Sequence, residues 1–391
     1  MSKKIQEPYR HSDRLAEPFR RLPGWYRKNH RILPWRDTGD PYDVWVSEIM
    51  LQQTRVRAVI EYFIRFRREL PDVRHLSEVS EERLLKLWEG LGYYSRPRNM
   101  KRAAGIIMEN YGGKIPDDPE ILRSLPGIGS YTAGAISSIA YGVPEPAVDG
   151  NVLRVCSRIA GNDSDIALAA TKRQLERAIR EIMRMDGISP GDLNQALMEL
   201  GALICVPNGS PSCSECPVSG MCTAHLQSQT GVLPVKAQKK ARRVEKKTVL
   251  LIENGGSYLI RRRKEEGLLA GLWEFPSEEG FLNPEDALRA AVSLLAEGRN
   301  AACADGGTGP AAEEDVPLYI ERMPDAKHIF SHIEWRMHAY RIRIADPDGG
   351  VRNVFDSEKM RFADAEEMRS RYPLPAAFAA YRDPIREEGE T

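Results

Sequence analysis

Four of the chain's six cysteines, Cys205, Cys213, Cys216 and Cys222, fall within eighteen consecutive positions. A segment that must bring four thiols to one point leaves the chain around it little choice of fold. Thiols this close make poor structural disulfides, and their spacing contains a single C-x-x-C knuckle where a structural zinc site usually has two. A 4Fe-4S cubane held by four thiolates fits the pattern better. Zinc, with His225 supplying a nitrogen, stays open as the alternative. Cys156 lies in a helical apolar pattern and Cys303 in a Gly/Ala-rich stretch, and both read as ordinary reduced thiols.

The 391 residues suffice for two domains with buried cores. Formal net charge is zero, which argues against nucleic acid until the charges are located along the chain. Basic residues lead early, at Arg20, Arg21, Arg27, Lys28, Arg31 and Arg36, whereas residues 265–325 are acidic and hold only Arg289, Arg299 and Arg322 as cations. A basic front of this kind can meet phosphates. No N-terminal apolar core resembles a signal peptide, and no apolar run of about 18 residues offers a membrane span. The expectation is a cytoplasmic protein with no membrane partner.

Residues 13–225 carry a helical period almost throughout. Val56, Val59, Ile60, Phe63 and Phe66 form one stripe, and Leu193, Leu197, Leu200 and Ile204 form another behind Ser189 and Pro190 as N-cap and first-turn residue. Residues 231–247 are polar and basic, with Lys236, Lys239, Lys240, Arg242, Arg243, Lys246 and Lys247, and read as a linker. Beyond it, strands are predicted over 248–253, 257–263 and 335–344 and a helix over 284–295. Residues 298–315 are too small and acidic to pack and read as an inserted mobile loop. The expected architecture is an all-α catalytic domain over residues 1–230, the basic linker 231–247, and an α+β domain over 248–391.

Three local patterns carry chemistry. In Leu125-Pro126-Gly127-Ile128-Gly129, the glycines let backbone N–H groups approach an anion at the N-terminus of the helix that follows. Asp149 is placed to cap the next helix, where the positive helix end is expected to keep its carboxylate ionised and facing a developing cation. Glu48 is embedded in the apolar run Trp45-Val46-Ser47-Glu48-Ile49-Met50-Leu51; burial there would raise its pKa and suit it to act as an acid. Gln52 and Gln53, about one turn on, are uncharged groups able to hydrogen-bond bases.

Taken together, SEIMLQQT (47–54), GLGYYSR (90–96), LPGIGSYTAGAI (125–136), VDGNV (148–152), HIFSH (328–332) and the four cysteines resemble the endonuclease III superfamily. Within it, they resemble the MutY-type adenine DNA glycosylases. The resemblance implies a helix-hairpin-helix glycosylase domain with a structural 4Fe-4S cluster on Cys205, Cys213, Cys216 and Cys222, followed by a Nudix-like domain that recognises 8-oxoguanine. It further implies double-stranded DNA holding adenine:8-oxoguanine or adenine:guanine mispairs as the partner of a monomeric enzyme. The roles carried over are Glu48 as the acid that protonates adenine, Asp149 as stabiliser of the oxocarbenium-like sugar, and Tyr131 as support for the sugar site. Gln195 would contact adenine, Gln53 and Tyr93 would wedge into the base stack, and Arg36, Gln52, Leu125, Gly127 and Gly129 would join the DNA contacts. Phe330, Ser331 and His332 would read the damaged base.

The bifunctional lyase relatives carry a catalytic lysine where this chain has Tyr131, which excludes a Schiff base to the sugar by that route. A bifunctional pyrimidine glycosylase and lyase is therefore the weaker alternative, and a non-catalytic DNA-binding module is disfavoured because both carboxylates are present. The chain departs from the family in having seven residues between Cys205 and Cys213, none of them Lys or Arg. It also lacks an acid-rich Nudix helix after GLWEFP (271–276), so nucleotide hydrolysis is not expected there.

Overall fold

The computed structural model describes residues 8–237, 242–264, 266–304, 317–330, 332–345, 357 and 359–388. The chain divides into two compact units, one from residues 1–79 and 96–239 and the other from 80–95 and 240–391.

The first unit is helical: α1 (Ala16–Asn29), α2 (Pro41–Leu51), α3 (Val56–Glu69) and α4 (Val73–Glu78), then α6 (Ser95–Tyr111), α7 (Pro119–Ser124), α8 (Ser130–Tyr141), α9 (Gly150–Ala160), α10 (Ala169–Met183), α11 (Pro190–Leu203) and α12 (Thr223–Leu226). Helix α5 (Glu81–Leu87) falls in the second unit. The predicted stripe on α3 buries Val59, Phe63 and Phe66. The helix begins at Val56 because Gln53 is left-handed and Arg55 extended. On α11 the Ser189 side chain accepts from the Asp192 N–H, Pro190 occupies the first turn, and Leu193, Leu197 and Leu200 enter the core. That core is shared by α1, α9, α10, α11 and the cysteine loop, with Val218, Cys222 and Ala224 buried and Cys205 and Cys216 packed against it.

Helix α8 is lined with small residues, and all of Thr132 through Ser138 are buried. A Cβ on Gly134 would lie 2.2 Å from the Pro146 carbonyl oxygen, and one on Gly191 of α11 would lie 2.8 Å from that of Ser138. These glycines let α8 press against both the returning chain and α11, the close approach that small residues permit.

The second unit is a seven-stranded mixed sheet in the order β3-β2-β1-β6-β5, with β4 pairing β1 and β7 pairing β2. The strands are β1 (Arg243–Asn254), β2 (Ser257–Arg262), β3 (Trp273–Glu274), β4 (Ser277–Glu279), β5 (Leu318–Ile329), β6 (Ile333–Ile344) and β7 (Met360–Ala363). Strands β1 and β6 are parallel from Arg243↔Ile333 to Glu253↔Arg343, and the other pairings are antiparallel. One face packs Val249, Leu251, Trp335, Met337 and Ala339 under the C-terminal segment, with Met368, Phe378 and Tyr381. The other packs Leu250, Ile252, Tyr340 and Ile342 under helix α13 (Pro284–Ala304), with Ala287, Ala291 and Leu294.

Two expectations need correction. The stretch read as linker ends early, because β1 opens at Arg243 and its basic start pairs along β6 before reaching the core. Residues 298–304, read as the start of a mobile loop, continue α13; residues 305–315 lie outside the described residues. Strand β5 was not predicted, since its mostly exposed residues include Glu321, Arg322, Asp325 and Lys327 and lack an apolar alternation.

Candidate active site

Helix α2 is capped by Asp40, whose side chain accepts from the Tyr42 N–H at 2.8 Å, and Pro41 opens it. It is buried all round, so its one glutamate is buried as well: Glu48 is 7% exposed. The phenol of Tyr131, in the first turn of α8, donates to Glu48 Oε2 at 2.6 Å. Burial, opposed by that hydrogen bond and reinforced by the charge of Asp149, pushes the Glu48 carboxyl up to about 7. The Tyr131 hydroxyl is itself raised well above its ordinary value by burial and by Glu48, so it stays a proton donor to the carboxylate.

Asp149 is the N-cap of α9. It accepts from the N–H groups of Asn151 at 2.9 Å and Val152 at 2.8 Å and from the Asn151 amide at 2.8 Å. Burial raises its pKa, and the hydrogen bonds from Val152 and Asn151, which favour the ionised form, oppose that rise. Asn151 Oδ1 in turn accepts from Arg154 at 3.0 Å, and Arg154 Nε donates to the Cys205 carbonyl at 2.8 Å.

Glu48, Tyr131 and Asp149 line one cavity of about 510 Å³, together with Gln52, Gln53 and Gln195. Its wall holds a network the sequence did not reveal. The fully buried Glu199 carboxylate accepts from Arg31 Nε at 2.7 Å, Arg31 Nη2 at 2.8 Å and the Arg31 backbone N–H at 2.9 Å, and from Arg36 at 2.6 Å. These bonds outweigh burial and hold Glu199 down to about 2. Arg36, expected to contact DNA, is thus held by Glu199 and lies over the Tyr26 ring at 5.5 Å, as part of the cavity wall. Gln195 accepts from the Tyr26 hydroxyl at 2.8 Å, which leaves its amide donors without a protein partner among the described residues.

The two-glycine turn joins α7 to α8. Gly127 has φ +79°, and a Cβ there would lie 2.7 Å from that of Asn99, so only glycine fits. Among the described residues the N–H groups of Gly127 and Gly129 make no hydrogen bond within the protein. Leu125 departs from its expected role: its side chain is buried, its N–H donates to Leu122 and its carbonyl accepts from Ile128, so it shapes the turn. Gln52 ends α2, and its carbonyl accepts from Arg96 at 2.8 Å. Gln53 and Tyr93 are both exposed residues on left-handed backbone, at φ +59° and +49°. Tyr93 belongs to the second unit.

A buried acid poised by a tyrosine, in one cavity with a second carboxylate, can protonate a leaving group and face a developing cation. Residues 46–185 match the HhH-GPD superfamily of base excision DNA repair proteins, and residues 248–383 match the NUDIX domain. The mouse adenine DNA glycosylase is 34% identical over 375 residues, covering 83% of this chain and 70% of its own length. The chain belongs to the adenine DNA glycosylase family. An adenine DNA glycosylase of Buchnera aphidicola is 35% identical over 269 residues, covering 68% of this chain and 74% of its own. A thermostable thymine-DNA glycosylase structure aligns with TM-score 0.49 and 25% identity, over 55% of this chain and 98% of that one.

In this DNA glycosylase the four clustered cysteines line one small cavity with Arg158, Val155 and His225. The Arg158 guanidinium donates to Cys205 Sγ at 3.3 Å and to the Val206 carbonyl at 3.0 Å. Burial raises the thiols of Cys213, Cys216 and Cys222, Cys216 to about 11. No three His, Cys, Asp or Glu side chains among the described residues converge as a ligand set for a single metal ion. Cys156 is buried and stands outside that cavity's lining, as expected of an inert thiol.

In the glycosylase's second unit, Phe330 directly follows β5 and His332 directly precedes β6. Phe330 is half-buried, edge-on to Trp335 at 4.9 Å and to His328 at 4.6 Å, and its N–H bonds the Ile333 carbonyl at 2.8 Å. His332 is exposed, and Ser331 lies outside the described residues. No helix among the described residues is long and apolar enough to cross a membrane.

Proposed function

We propose that this enzyme is monofunctional and removes adenine paired with 8-oxoguanine or guanine in duplex DNA. The observation that carries the reading is Glu48, buried, with its pKa near 7 and hydrogen-bonded to Tyr131 in the same cavity as Asp149. The adenine leaves the helix at a cost of a few kcal/mol, least for a mispair, and enters the cavity, where Gln195 offers free amide donors. Glu48 gives its proton to the adenine ring as the C–N glycosidic bond breaks and its electron pair leaves with the base. Asp149 faces the cationic sugar, water adds at the anomeric carbon, and the proton released returns to Glu48. This is the two-carboxylate logic of glycoside hydrolysis applied to an N-glycoside. Tyr131 offers no amine, so the sugar stays free of the enzyme and the strand stays whole.

The amides of Gly127 and Gly129 grip a DNA phosphate at the start of α8, and Gln53 wedges into the stack vacated by the base. In the second unit Phe330, Ser331 and His332 read the opposing 8-oxoguanine, with exposed His332 as a donor and Phe330 braced on Trp335. Cys205, Cys213, Cys216 and Cys222 suit a 4Fe-4S cluster by donor type and by facing one cavity beside a cation that stabilises thiolates. Such a cluster would act structurally, tying 205–222 to the core. The enzyme works as a monomer in the cytoplasm.

Duplexes with adenine opposite 8-oxoguanine, incubated with and without alkali, test the reading. Strand breaks that require alkali support it. Breaks without alkali would establish a lyase, and no breaks in either case would remove the glycosylase assignment.

A further inference from the structure

We propose that Asn194 is a positioning residue for catalysis, fixing Asp149 against the sugar by clamping the chain that leads to it. The inference rests on the glycosylase reading above. Asn194 is 1% exposed on α11, one residue before Gln195. Its amide nitrogen donates to Ser138 Oγ of α8 at 2.7 Å and to the Glu145 carbonyl at 2.9 Å, and its oxygen accepts from the Ala147 N–H at 3.0 Å. One side chain thereby joins α11, which carries Gln195 and Glu199, to α8, which carries Tyr131, and to the extended segment that ends at Asp149.

No other polar side chain among the described residues bonds the backbone of 145–147. That backbone is also pressed against Gly134, where no Cβ fits, and the Glu145 carboxylate is held by Arg180 and Arg123, so the near end of the segment is anchored and Asn194 supplies the side-chain bonds to its backbone on the way to Asp149. Without the clamp, a buried carbonyl and a buried N–H lose their partners, and the segment is free to turn toward other donors. Asp149 is two residues beyond Ala147, and a shift of about 1 Å in a reacting group costs on the order of a hundredfold in rate.

The test is a double-mutant cycle. Single-turnover adenine release from the 8-oxoguanine duplex is measured for Asn194→Ala alone and in an Asp149→Asn background, beside affinity for a duplex holding a tetrahydrofuran abasic analogue. If Asn194 acts through Asp149, the rate falls about tenfold to a hundredfold in the wild-type background and hardly at all without Asp149, while affinity is unchanged. Equal losses in both backgrounds would reduce Asn194 to a structural role and overturn the proposal. Should Asn194→Ala not fold, Ser138→Ala removes one of the three bonds and gives the same comparison at a smaller loss. Carbon NMR of the Asp149 carboxyl gives a substrate-free readout: freeing the segment admits water and should move its titration down toward the ordinary carboxylate value. An unmoved titration in Asn194→Ala overturns the proposal whatever the substrate. A moved titration in an enzyme inactive on adenine would strike the function reading alone.

Discussion

Glu48 is asked to do two incompatible things, to stay buried and to give up a proton. Replacement by Gln keeps the hydrogen bond with Tyr131 and removes the proton, so adenine release should fall by about a hundredfold to ten-thousandfold in single-turnover assays, with mispair binding retained. Because the acid is competent when protonated and its pKa is about 7, the wild-type rate should decline as pH rises through that value. The same burial sets a stability sign. The folded carboxyl holds its proton above the ordinary 4.5, so the native state binds more protons than the unfolded chain across 4.5 to 7 and loses stability as pH rises through that window. Glu48→Gln should therefore raise the melting temperature more at pH 8 than at pH 5. A glutamate inside an apolar run, and an aspartate before a helix, are local patterns and were legible in the sequence. Glu199 was not, because its partners Arg31 and Arg36 lie 168 and 163 positions away and no local pattern marks their meeting. Asn194 escaped for the same reason.

Among the elements, α8 bears the strictest packing. Gly134→Ala puts a methyl 2.2 Å from a carbonyl oxygen, so helix or segment must move. Overpacking of this kind costs about 1–3 kcal/mol and should lower both the melting temperature and the rate, since α8 carries Tyr131. The cysteine loop is the converse case, an element with little regular structure that shares the main helical core. Purified protein should hold about four irons per chain, as four thiolates around a cubane require. Cys216→Ala should release them and speed amide exchange over 204–226 while leaving β1 and β6 unchanged. Helices α3 and α11 and strand β6 were readable because each buries a stripe or alternation, and β2 because it opens on a short run buried throughout. Strand β5 was not, because this edge strand, with its charged, exposed residues, lends the cores only the part-buried Leu318, Ile320, Met323 and Ala326, in a broken pattern, along its ladder to β6.

At the scale of the molecule the sequence placed one cut, at the basic linker; the two units part within that stretch, at 239/240, but a second, earlier piece joins the C-terminal side. Residues 80–95 belong with the C-terminal sheet. There Lys86 donates to the Met368 carbonyl at 3.1 Å and pairs with Glu89, Arg382 reaches Glu89 at 3.6 Å, and Arg371 reaches Glu82 at 3.7 Å. Lys86, Glu89 and Arg382 are each less than 15% exposed, so these charges are shielded and depend on one another. No periodicity or composition could signal that membership, since α5 reads as one more amphipathic helix. A chain ended at Ala237 should therefore fold with residues 80–95 poorly protected from hydrogen exchange, and full protection there would show that α5 needs nothing from the sheet. For anyone grafting or shuffling these parts, the smallest portable piece on the C-terminal side is not the stretch after the linker but that stretch plus sixteen residues borrowed from upstream. A gene fusion that respects the linker alone would inherit the sheet without a strip of its own surface.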